Sequence, residues 1–515
     1  MASIKEERGR FLRVKSLFVR AVALLALGLA LHGPRLGRAE LENEEGRRAL
    51  PPREMLESGD YVMPTVFGEP YLAKPPGYYY AVVVSAVLLE RFGPKPIEAD
   101  SPAEERSGWY PPEHGPVSPL AVRLPSLIAA LGCALALLLA GQRWEQRFAP
   151  AVGGGGPAPG GAAGSGTEAG TLAALFFLFA PNLVRKVRLG EIEVALSAAC
   201  FVAGVLLWFS ARGPRWRPGL TVAGGLVLGV AGLLKGPVAL LFTLPAGWAA
   251  AGLRRPGRAA SVLALSSGIG MALAALWMVP LMTRFSDRAE LLAFWSSEIS
   301  RDPEPGFAAF MSDRWRLVSG SLLGWLPASG LVIYGLARKF GVGLGAALWT
   351  LALPALVLCL WPGVRARYAM PLLPWIALAG GLVANDLIQR RRAAGRPGVA
   401  AWVGVVFGVL IAVRGVQLFV LEPPRDDRAH RIQSARQLDE LVGERLWVEE
   451  PFAFKTLYYL RSEVRWARSP GSVPQGEVLL RGPFASGDHP EGEWELLDVE
   501  IPTNKFEWVT LWRRL

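Results

Sequence analysis

The chain is poor in histidine and cysteine, the side chains that form most transition-metal sites in proteins. It has only four histidines and three cysteines in 515 residues. Cys133, Cys200 and Cys359 all lie inside apolar segments with no CxxC pair, and no two histidines have helical spacing. We therefore expect cysteines that fill the protein core, and the sequence gives no support to a histidine-rich metal site.

Charged residues are also scarce, at 19% of the chain, whereas 51% of the residues are hydrophobic. The apolar residues form blocks of roughly 16 to 25 residues, long enough to cross a hydrocarbon core. A net charge of +11 could indicate nucleic acid, but Lys and Arg cluster in short loops between the apolar blocks. This distribution is typical of a membrane protein. The composition therefore predicts an integral membrane protein with no nucleic-acid partner.

The apolar blocks and the basic loops together predict eleven spans, with the N-terminus in the cytoplasm and the C-terminus outside. The first block, 16–32, is interpreted as an uncleaved span; the alternative is a cleaved secretory signal. If the short segment 77–89 also crossed, the later arginine clusters would all move outside, so it is predicted to be a helix at the outer interface. The predicted spans are 16–32, 117–141, 170–184, 191–210, 219–234, 236–252, 259–283, 316–337, 342–361, 369–388 and 399–420.

Several charged residues fall on the predicted outer face, where Lys and Arg are normally rare. Charges that gather beside apolar segments usually mark a functional site in a membrane protein. Several cations can hold a phosphate, and carboxylates next to them can act as a base or as metal ligands, so the pattern indicates a transferase. The candidate site residues are Glu44, Glu45, Arg47, Tyr71, Lys74, Arg188, Glu193, Lys235, Arg365, Arg367 and Tyr368.

The segment EEGRRALPPREMLESGDYVMPTVFGEPYLAKPP, residues 44–76, resembles the first outer loop of one family of membrane glycosyltransferases. That superfamily includes the lipid A aminoarabinose transferases and the protein O-mannosyltransferases, similar to glycosyltransferase family 39. AVRLPSLIAAL (121–131), LLKGP (233–237) and RYAMPLLP (367–374) extend the resemblance. It implies an all-α polytopic membrane protein of the GT-C fold, with about eleven transmembrane helices plus interfacial helices.

The resemblance also implies a reaction: transfer of a sugar from a polyprenyl phosphate to a lipid or protein acceptor on the outer face, with inversion at the anomeric carbon. Glu44 is the candidate that binds and deprotonates an acceptor hydroxyl. The implied catalytic residues are Glu44, Glu193, Arg47 and Lys74. The implied phosphate-binding residues are Lys74, Arg188, Lys235, Arg365, Arg367 and Tyr368, while Glu45 and Tyr71 would position the substrates.

Three departures from the family pattern bear on the metal. The family usually has Asp where this chain has Glu44 and Glu193, and its lipid A enzymes have an acid where this chain has Ala73. The outer loop 284–315 contains no histidine. The zinc site of the lipid A subfamily is therefore not supported, and a divalent cation held by Glu44 and Glu193 is the remaining metal hypothesis.

The composition changes after the last span, at Glu422. A helical pattern over 426–442 and five short β patterns predict a small α/β or α+β domain, 422–515, on the periplasmic side of a bacterial inner membrane. The membrane domain would be 1–421, with a first outer loop at 33–116. The outer loop 284–315 would be a lid or an amphipathic helix on the membrane. The β patterns are 446–448, 464–467, 478–480, 494–499 and 507–512.

Two other function classes compete with a glycosyltransferase. A lipid or solute transporter also places charges in membrane cavities, but here the charges lie at one face and no inverted repeat is visible. A non-catalytic relative that serves in assembly or binding is the other alternative, and the carboxylates argue against it. The sequence leaves the sugar and the acceptor open.

Overall fold

The computed structural model describes most of the chain. The described residues are 2–37, 40–42, 44–93, 116–148, 168–212, 215–251, 255–285, 289, 306–338, 342–361, 364–395, 399–421, 431–449, 457–460, 462–467, 469–481, 490, 492–497 and 510–515. Most of the outer loop 284–315, predicted as a lid or an amphipathic helix, lies outside these residues.

The apolar blocks fold into helices, because a helix satisfies its own backbone hydrogen bonds without water. Each predicted span coincides with a helix or with a pair of helices. The helices are α1 (Ala2–His32), α2 (Gly46–Ser58), α3 (Gly77–Phe92), α4 (Pro119–Phe148), α5 (Glu168–Leu178), α6 (Pro181–Arg188), α7 (Ile192–Arg212), α8 (Pro218–Lys235), α9 (Val238–Ala251), α10 (Pro256–Arg284), α11 (Phe307–Gly324), α12 (Ala328–Ala337), α13 (Val342–Leu360), α14 (Leu373–Ala393), α15 (Val399–Val416) and α16 (Arg431–Val442).

Within the described residues, six helices are long and apolar enough to cross a membrane, and three further apolar helices are shorter. Two predicted spans are not single helices. Span 170–184 is α5 and α6, bent by 56°, and span 316–337 is α11 and α12, bent by 100°. Proline accounts for both breaks, since Pro181 begins α6 and Pro327 is the residue before α12, and neither can continue a preceding helix. Counting each bent pair as one span gives eight long spans.

The chain divides into two compact units. The first contains Met1–Pro34 and Ser126–Gly415, and the second contains Arg35–Pro125 and Val416–Leu515. The first unit is therefore the helical bundle, whereas the second combines residues of the predicted first outer loop with the C-terminal residues. The division into a membrane domain, 1–421, and a C-terminal domain, 422–515, remains a prediction.

Aromatic side chains fill part of the core of the first unit. Trp144 stacks on Trp208 with ring centroids 4.3 Å apart, and Trp375 meets Trp144 edge-on at 6.1 Å. Phe201 packs edge-on against Trp375 at 5.0 Å. These four side chains are almost completely buried. Offset and edge-on pairs of this kind add to the gain from apolar burial, so they fix the packing of α4, α7 and α14.

In the second unit, α2 ends at Gly59, whose φ of +72° is accessible to glycine without steric cost. A short antiparallel hairpin follows, formed by β1 (Thr65–Val66) and β2 (Glu69–Pro70). Helix α3 then packs on α2 through Met55, Tyr79 and Val83. With 16 residues, α3 is shorter than a full span; its position at the membrane interface stays a prediction.

The C-terminal residues form a mixed five-stranded sheet in the order β4-β3-β5-β7-β6, which confirms a small C-terminal α/β domain. Strand β3 runs parallel to β4 and β5, and β7 runs antiparallel to β5 and β6. Residues 426–430, 498–499 and 507–509 of the predicted elements lie outside the described residues. The strands are β3 (Arg445–Val448), β4 (Glu463–Trp466), β5 (Val478–Arg481), β6 (Trp494–Leu497) and β7 (Thr510–Arg514).

Candidate active site

The first unit contains a buried carboxylate, Glu193, in the first turn of α7. The chain reaches this turn through Gly190, whose φ is +52°. The exposed N–H groups at a helix N-terminus favour a negative charge, so the start of α7 lowers the cost of burying the carboxylate. Ser197, one turn later, donates from its Oγ to the Glu193 carbonyl at 2.5 Å.

Lys235 is the closest basic partner of this carboxylate. It is the last residue of α8, where the helix dipole favours a cation, and Gly236 with φ of +73° ends the helix there. Its Nζ donates to Glu193 Oε1 at 2.8 Å, and both side chains are largely buried. Burial strengthens the pair, because the local dielectric is lower than in water. The LKGP motif thus presents its lysine to the acid at the start of α7.

Arg367 and Tyr368 complete what we call the Glu193 cluster, defined as Glu193, Lys235, Arg367 and Tyr368. Both lie in a short 3-10 helix, Ala366–Leu372, which precedes α14. Arg367 Nε is 3.9 Å from Glu193 Oε1. The Tyr368 ring lies under both cations, with Lys235 Nζ 4.3 Å and Arg367 Cζ 5.6 Å from its centroid. Three segments that are distant in sequence therefore meet around one carboxylate.

Two other predicted phosphate ligands have different surroundings. Arg188, at the end of α6, donates from Nη1 to the carbonyl of Pro34 at 3.0 Å. Arg365 is exposed and lies just before the 3-10 helix, where its carbonyl accepts from the Tyr368 backbone N–H at 2.9 Å. Neither of these two hydrogen bonds involves Glu193.

Glu191 is bound by a different lysine from the one that binds Glu193. Lys186 Nζ donates to Glu191 Oε1 at 2.8 Å, and Ser126 Oγ donates to the Glu191 carbonyl at 2.9 Å. Lys186 lies five positions before Glu191, so this pair closes the local turn between α6 and α7. The Glu193 pair instead joins two helices.

The Glu193 cluster carries one carboxylate and two cations, which suits an anionic ligand better than a metal. Glu193 Oε1 already accepts from an ammonium at 2.8 Å. A divalent ion placed there would face the repulsion of Lys235 and Arg367. Across the described part of the chain, no three His, Cys, Asp or Glu side chains form a group that could hold a metal ion. The donor set of the cluster does not fit a divalent cation.

In the second unit, Glu44 and Arg47 lie at the start of α2. Arg47 Nη1 donates to Glu44 Oε2 at 3.2 Å, and their side chains keep 40% and 32% of their accessible surface. A partly exposed pair of this kind is weak and can exchange partners when a substrate arrives. Lys74 Nζ donates to the Ala73 carbonyl at 2.7 Å, and the Tyr71 backbone N–H donates to the Pro64 carbonyl at 2.8 Å.

Glu45 has a different environment from its neighbour, since its side chain is completely buried. Arg123 binds it through two bonds, from Nε to Oε1 at 2.7 Å and from Nη2 to Oε2 at 2.8 Å. Arg123 also donates to the carbonyls of Leu36 and Glu40, both at 2.8 Å. The pair therefore ties the first outer loop to the start of α4, and any effect of Glu45 on a substrate acts through the shape of the loop.

Arg123 was not among the predicted site residues. The signal was present, because it is the arginine of the AVRLPSLIAAL segment. Its partner could not be inferred, because Glu45 lies 78 positions away in the sequence.

Comparison by sequence matches the chain neither to a protein-family model nor to a curated protein. Comparison by structure matches ArnT from Cupriavidus metallidurans. In its form bound to undecaprenyl phosphate, the TM-score is 0.62 at 16% identity, covering 91% of this chain and 93% of ArnT. In its apo form the TM-score is 0.63 at 16% identity, covering 95% and 97%. The likeness extends over nearly both whole chains, so the protein has the GT-C fold.

Proposed function

We propose that the protein is a GT-C glycosyltransferase that moves a sugar from a polyprenyl phosphate to a lipid or protein acceptor at the outer face of a bacterial inner membrane. The Glu193 cluster carries the proposal, because two cations held by one buried carboxylate leave a net positive charge for a phosphate. The fold supports it as well, since the ArnT structure of the same fold holds undecaprenyl phosphate.

The chemistry requires little beyond charge stabilisation and a base. The bond between the anomeric carbon and the donor phosphate oxygen breaks, and its electron pair stays on the polyprenyl phosphate. Lys235 and Arg367 stabilise the negative charge that develops there, in a largely buried site where such contacts are strongest. Glu193 holds the two cations in place.

The acceptor oxygen attacks the anomeric carbon from the face opposite the leaving phosphate, so the configuration inverts. We propose that the Glu44 carboxylate takes the proton of the acceptor hydroxyl, because Glu44 is accessible and its weak pair with Arg47 is easily exchanged. Arg47 then binds the acceptor beside Glu44. Lys74 adds a further cation for the donor phosphate, and Tyr71 positions the substrates. A phosphate acceptor would need no base.

The test uses two lysines that occupy matched surroundings. Lys235 and Lys186 each donate to a buried glutamate at 2.8 Å, but only Lys235 belongs to the Glu193 cluster. We expect Lys235→Ala to lower transfer from a radiolabelled polyprenyl-phosphate sugar by about 100-fold, the usual cost of removing one transition-state charge contact. Lys186→Ala should leave most of the activity. Equal losses in the two variants would remove the assigned role.

Glu44→Gln and Lys74→Ala test the first outer loop in the same assay. A lost general base lowers the rate by about 100- to 10,000-fold when the acceptor is a hydroxyl. Undiminished activity in both variants would remove this part of the mechanism. A transporter would give a third result, in which the wild-type protein moves the labelled lipid between leaflets without forming a glycosylated product.

A further inference from the structure

The second unit contains a cavity of about 620 Å³ that none of the residues assigned to sugar transfer lines. Its walls come from helix α2, from the β1–β2 hairpin, and from strands β3 and β4 with the residues before β4. Strand β4 is an edge strand of the sheet. Cavities that bind small molecules have volumes of about 300 to 1,000 Å³ and combine aromatic side chains with a few placed polar groups.

The Arg53-Glu54 motif of the first outer loop builds this cavity. Arg53 donates from Nη1 to the carbonyl of Tyr458 at 3.2 Å, so it joins α2 to the segment before β4. Glu54 accepts from the backbone N–H of Phe67 at 2.6 Å and of Gly68 at 3.3 Å, so it holds the tip of the hairpin. Gly68 has a φ of +79°, which the tight turn requires. These contacts fix three walls in one arrangement.

The charges that line the cavity occur largely in pairs. Arg53 Nε donates to Glu57 Oε1 at 2.9 Å. Arg465 Nη2 is 2.7 Å from Glu463 Oε1. Burial raises the pKa of Glu54, which favours its uncharged form. A cavity whose arginines already meet carboxylates attracts anions weakly, but it offers many hydrogen-bond donors and acceptors in fixed positions.

Three aromatic side chains, Phe67, Trp447 and Trp466, contribute to the apolar part of the lining, beside leucine and valine side chains. Phe67 meets Trp466 edge-on, with ring centroids 6.5 Å apart. Both indole N–H groups are engaged inside the protein: Trp447 donates to the carboxylate of Glu477, and Trp466 donates to the Glu449 carbonyl at 3.3 Å. The indoles therefore offer carbon surface to a ligand, while the carboxylates and guanidinium groups offer hydrogen bonds.

We propose that this cavity binds an uncharged saccharide. A pyranose ring has a face of C–H groups that packs on aromatic carbon and a rim of hydroxyls that both donate and accept. Carboxylates accept hydrogen bonds from such hydroxyls, and guanidinium groups donate hydrogen bonds to them. The Glu463–Arg465 pair therefore offers the sugar one acceptor group and one donor group. This binding site shares no residue with the groups proposed to carry out sugar transfer.

The experiment measures binding to the full chain in lipid nanodiscs, without any polyprenyl donor, by saturation-transfer NMR. The probes are methyl α-D-mannopyranoside and methyl β-D-glucopyranoside, with tetramethylammonium and glucuronate as charged comparisons. The first variant is Glu463→Gln with Arg465→Gln, which removes charge from two half-exposed side chains on the cavity wall. The matched control is Glu495→Gln with Arg513→Gln, a half-exposed pair on the same sheet that does not line the cavity.

We expect saturable binding of at least one neutral glycoside, weakened about tenfold in the Glu463/Arg465 variant, because it loses hydrogen bonds to charged groups. The Glu495/Arg513 variant should bind as the wild type does. Trp466→Ala is a second variant, and it should weaken binding as well, because it removes aromatic surface. The proposal is overturned if neither glycoside binds, if a charged probe binds in preference, or if the cavity variants bind as tightly as the control.

Discussion

Glu191 and Glu193 show how much the partner of a residue decides its role. Both are buried, and both accept from a lysine Nζ at 2.8 Å. Lys186 is five positions from Glu191, so their pair stabilises a local turn. Lys235 is 42 positions from Glu193, so their pair joins the start of α7 to the end of α8. Two acids with the same charge and nearly the same position thus differ in what they hold together.

The buried pair Glu45–Arg123 gives a prediction about stability. Arg123→Met would leave the completely buried Glu45 carboxylate without its cation and would free the carbonyls of Leu36 and Glu40. Removing one partner of a buried ion pair costs about 3–5 kcal/mol. We expect a marked fall in the midpoint of thermal unfolding in detergent.

The control for this variant is Arg513→Gln, which breaks a half-exposed pair at 3.5 Å. Pairs of this kind contribute about 0–1 kcal/mol. If both variants lowered the midpoint equally, the buried pair would contribute no more to stability than the half-exposed pair does.

Glu54 gives a prediction about pH. Burial raises the pKa of its carboxyl group in the folded protein, so folding favours the protonated form. Its stabilising contribution is therefore complete below the ordinary glutamate pKa and is lost as the pH rises through the folded-state pKa. We expect the difference in melting temperature between the wild type and Glu54→Gln to shift against the wild type as the pH rises from acid to neutral.

Ser58→Ala is the control for the pH measurement. Ser58 lies one turn after Glu54 and donates to its carbonyl at 2.6 Å, but it carries no ionisable group. Its effect on the melting temperature should be the same at every pH. If the difference in melting temperature for Glu54→Gln were also the same at every pH, the raised pKa of Glu54 in the folded protein would be contradicted.

At the scale of elements, close helix packing depends on a few glycines. A Cβ added to Gly225 of α8 would lie 2.9 Å from the Ser266 carbonyl oxygen of α10. A Cβ added to Gly229 would lie 2.8 Å from the Leu273 side chain. Small residues at such positions let two helix backbones approach closely, which is a main source of helix association in membranes. The apolar pattern of α8 identifies it as a span, but does not identify which side meets α10.

Two glycines of α8 make a matched pair of substitutions. Gly225→Ala should destabilise the protein by about 1–3 kcal/mol, because backbone atoms of α10 would have to move. Gly232→Ala, on the same helix, would meet no atom within 4 Å. It should be neutral or stabilising by about 0.5–1 kcal/mol. Thermal unfolding in detergent measures both, and a smaller effect for Gly225→Ala than for Gly232→Ala would contradict this packing.

At the scale of the whole molecule, the predicted orientation can be tested with single cysteines. The charge distribution predicts Ser58 outside and Ala393 in the cytoplasm. Both residues are exposed. Cys133 and Cys200 are buried, but Cys359 is exposed, so the expectation that all three cysteines fill the core is wrong for Cys359 and the background is Cys359→Ser. A membrane-impermeant maleimide should label Ser58→Cys in intact spheroplasts and Ala393→Cys only after permeabilisation. Labelling in the opposite order would reverse the orientation and move the proposed chemistry to the cytoplasm.

The sequence determined the class of protein and most of its elements. Long apolar blocks have only one way to satisfy their backbone in a membrane, so their helices follow from composition. The C-terminal β patterns likewise predicted strands that the structure confirms, because short runs of β-favouring residues between turn residues are local information. Where prolines interrupt a block, as at Pro181, the sequence carried the signal, but the bend of 56° depends on what each half packs against.

Tertiary structure decided the partners. Glu193, Lys235 and Arg367 come from three separate segments, and only folding brings Oε1 to within 2.8 Å and 3.9 Å of the two cations. The contacts of the first outer loop likewise depend on folding. Glu45 is bound by Arg123, while Arg53 and Glu54 form the wall of a cavity with the C-terminal strands. Contacts between distant segments depend on packing in three dimensions, which local periodicity and residue spacing do not encode.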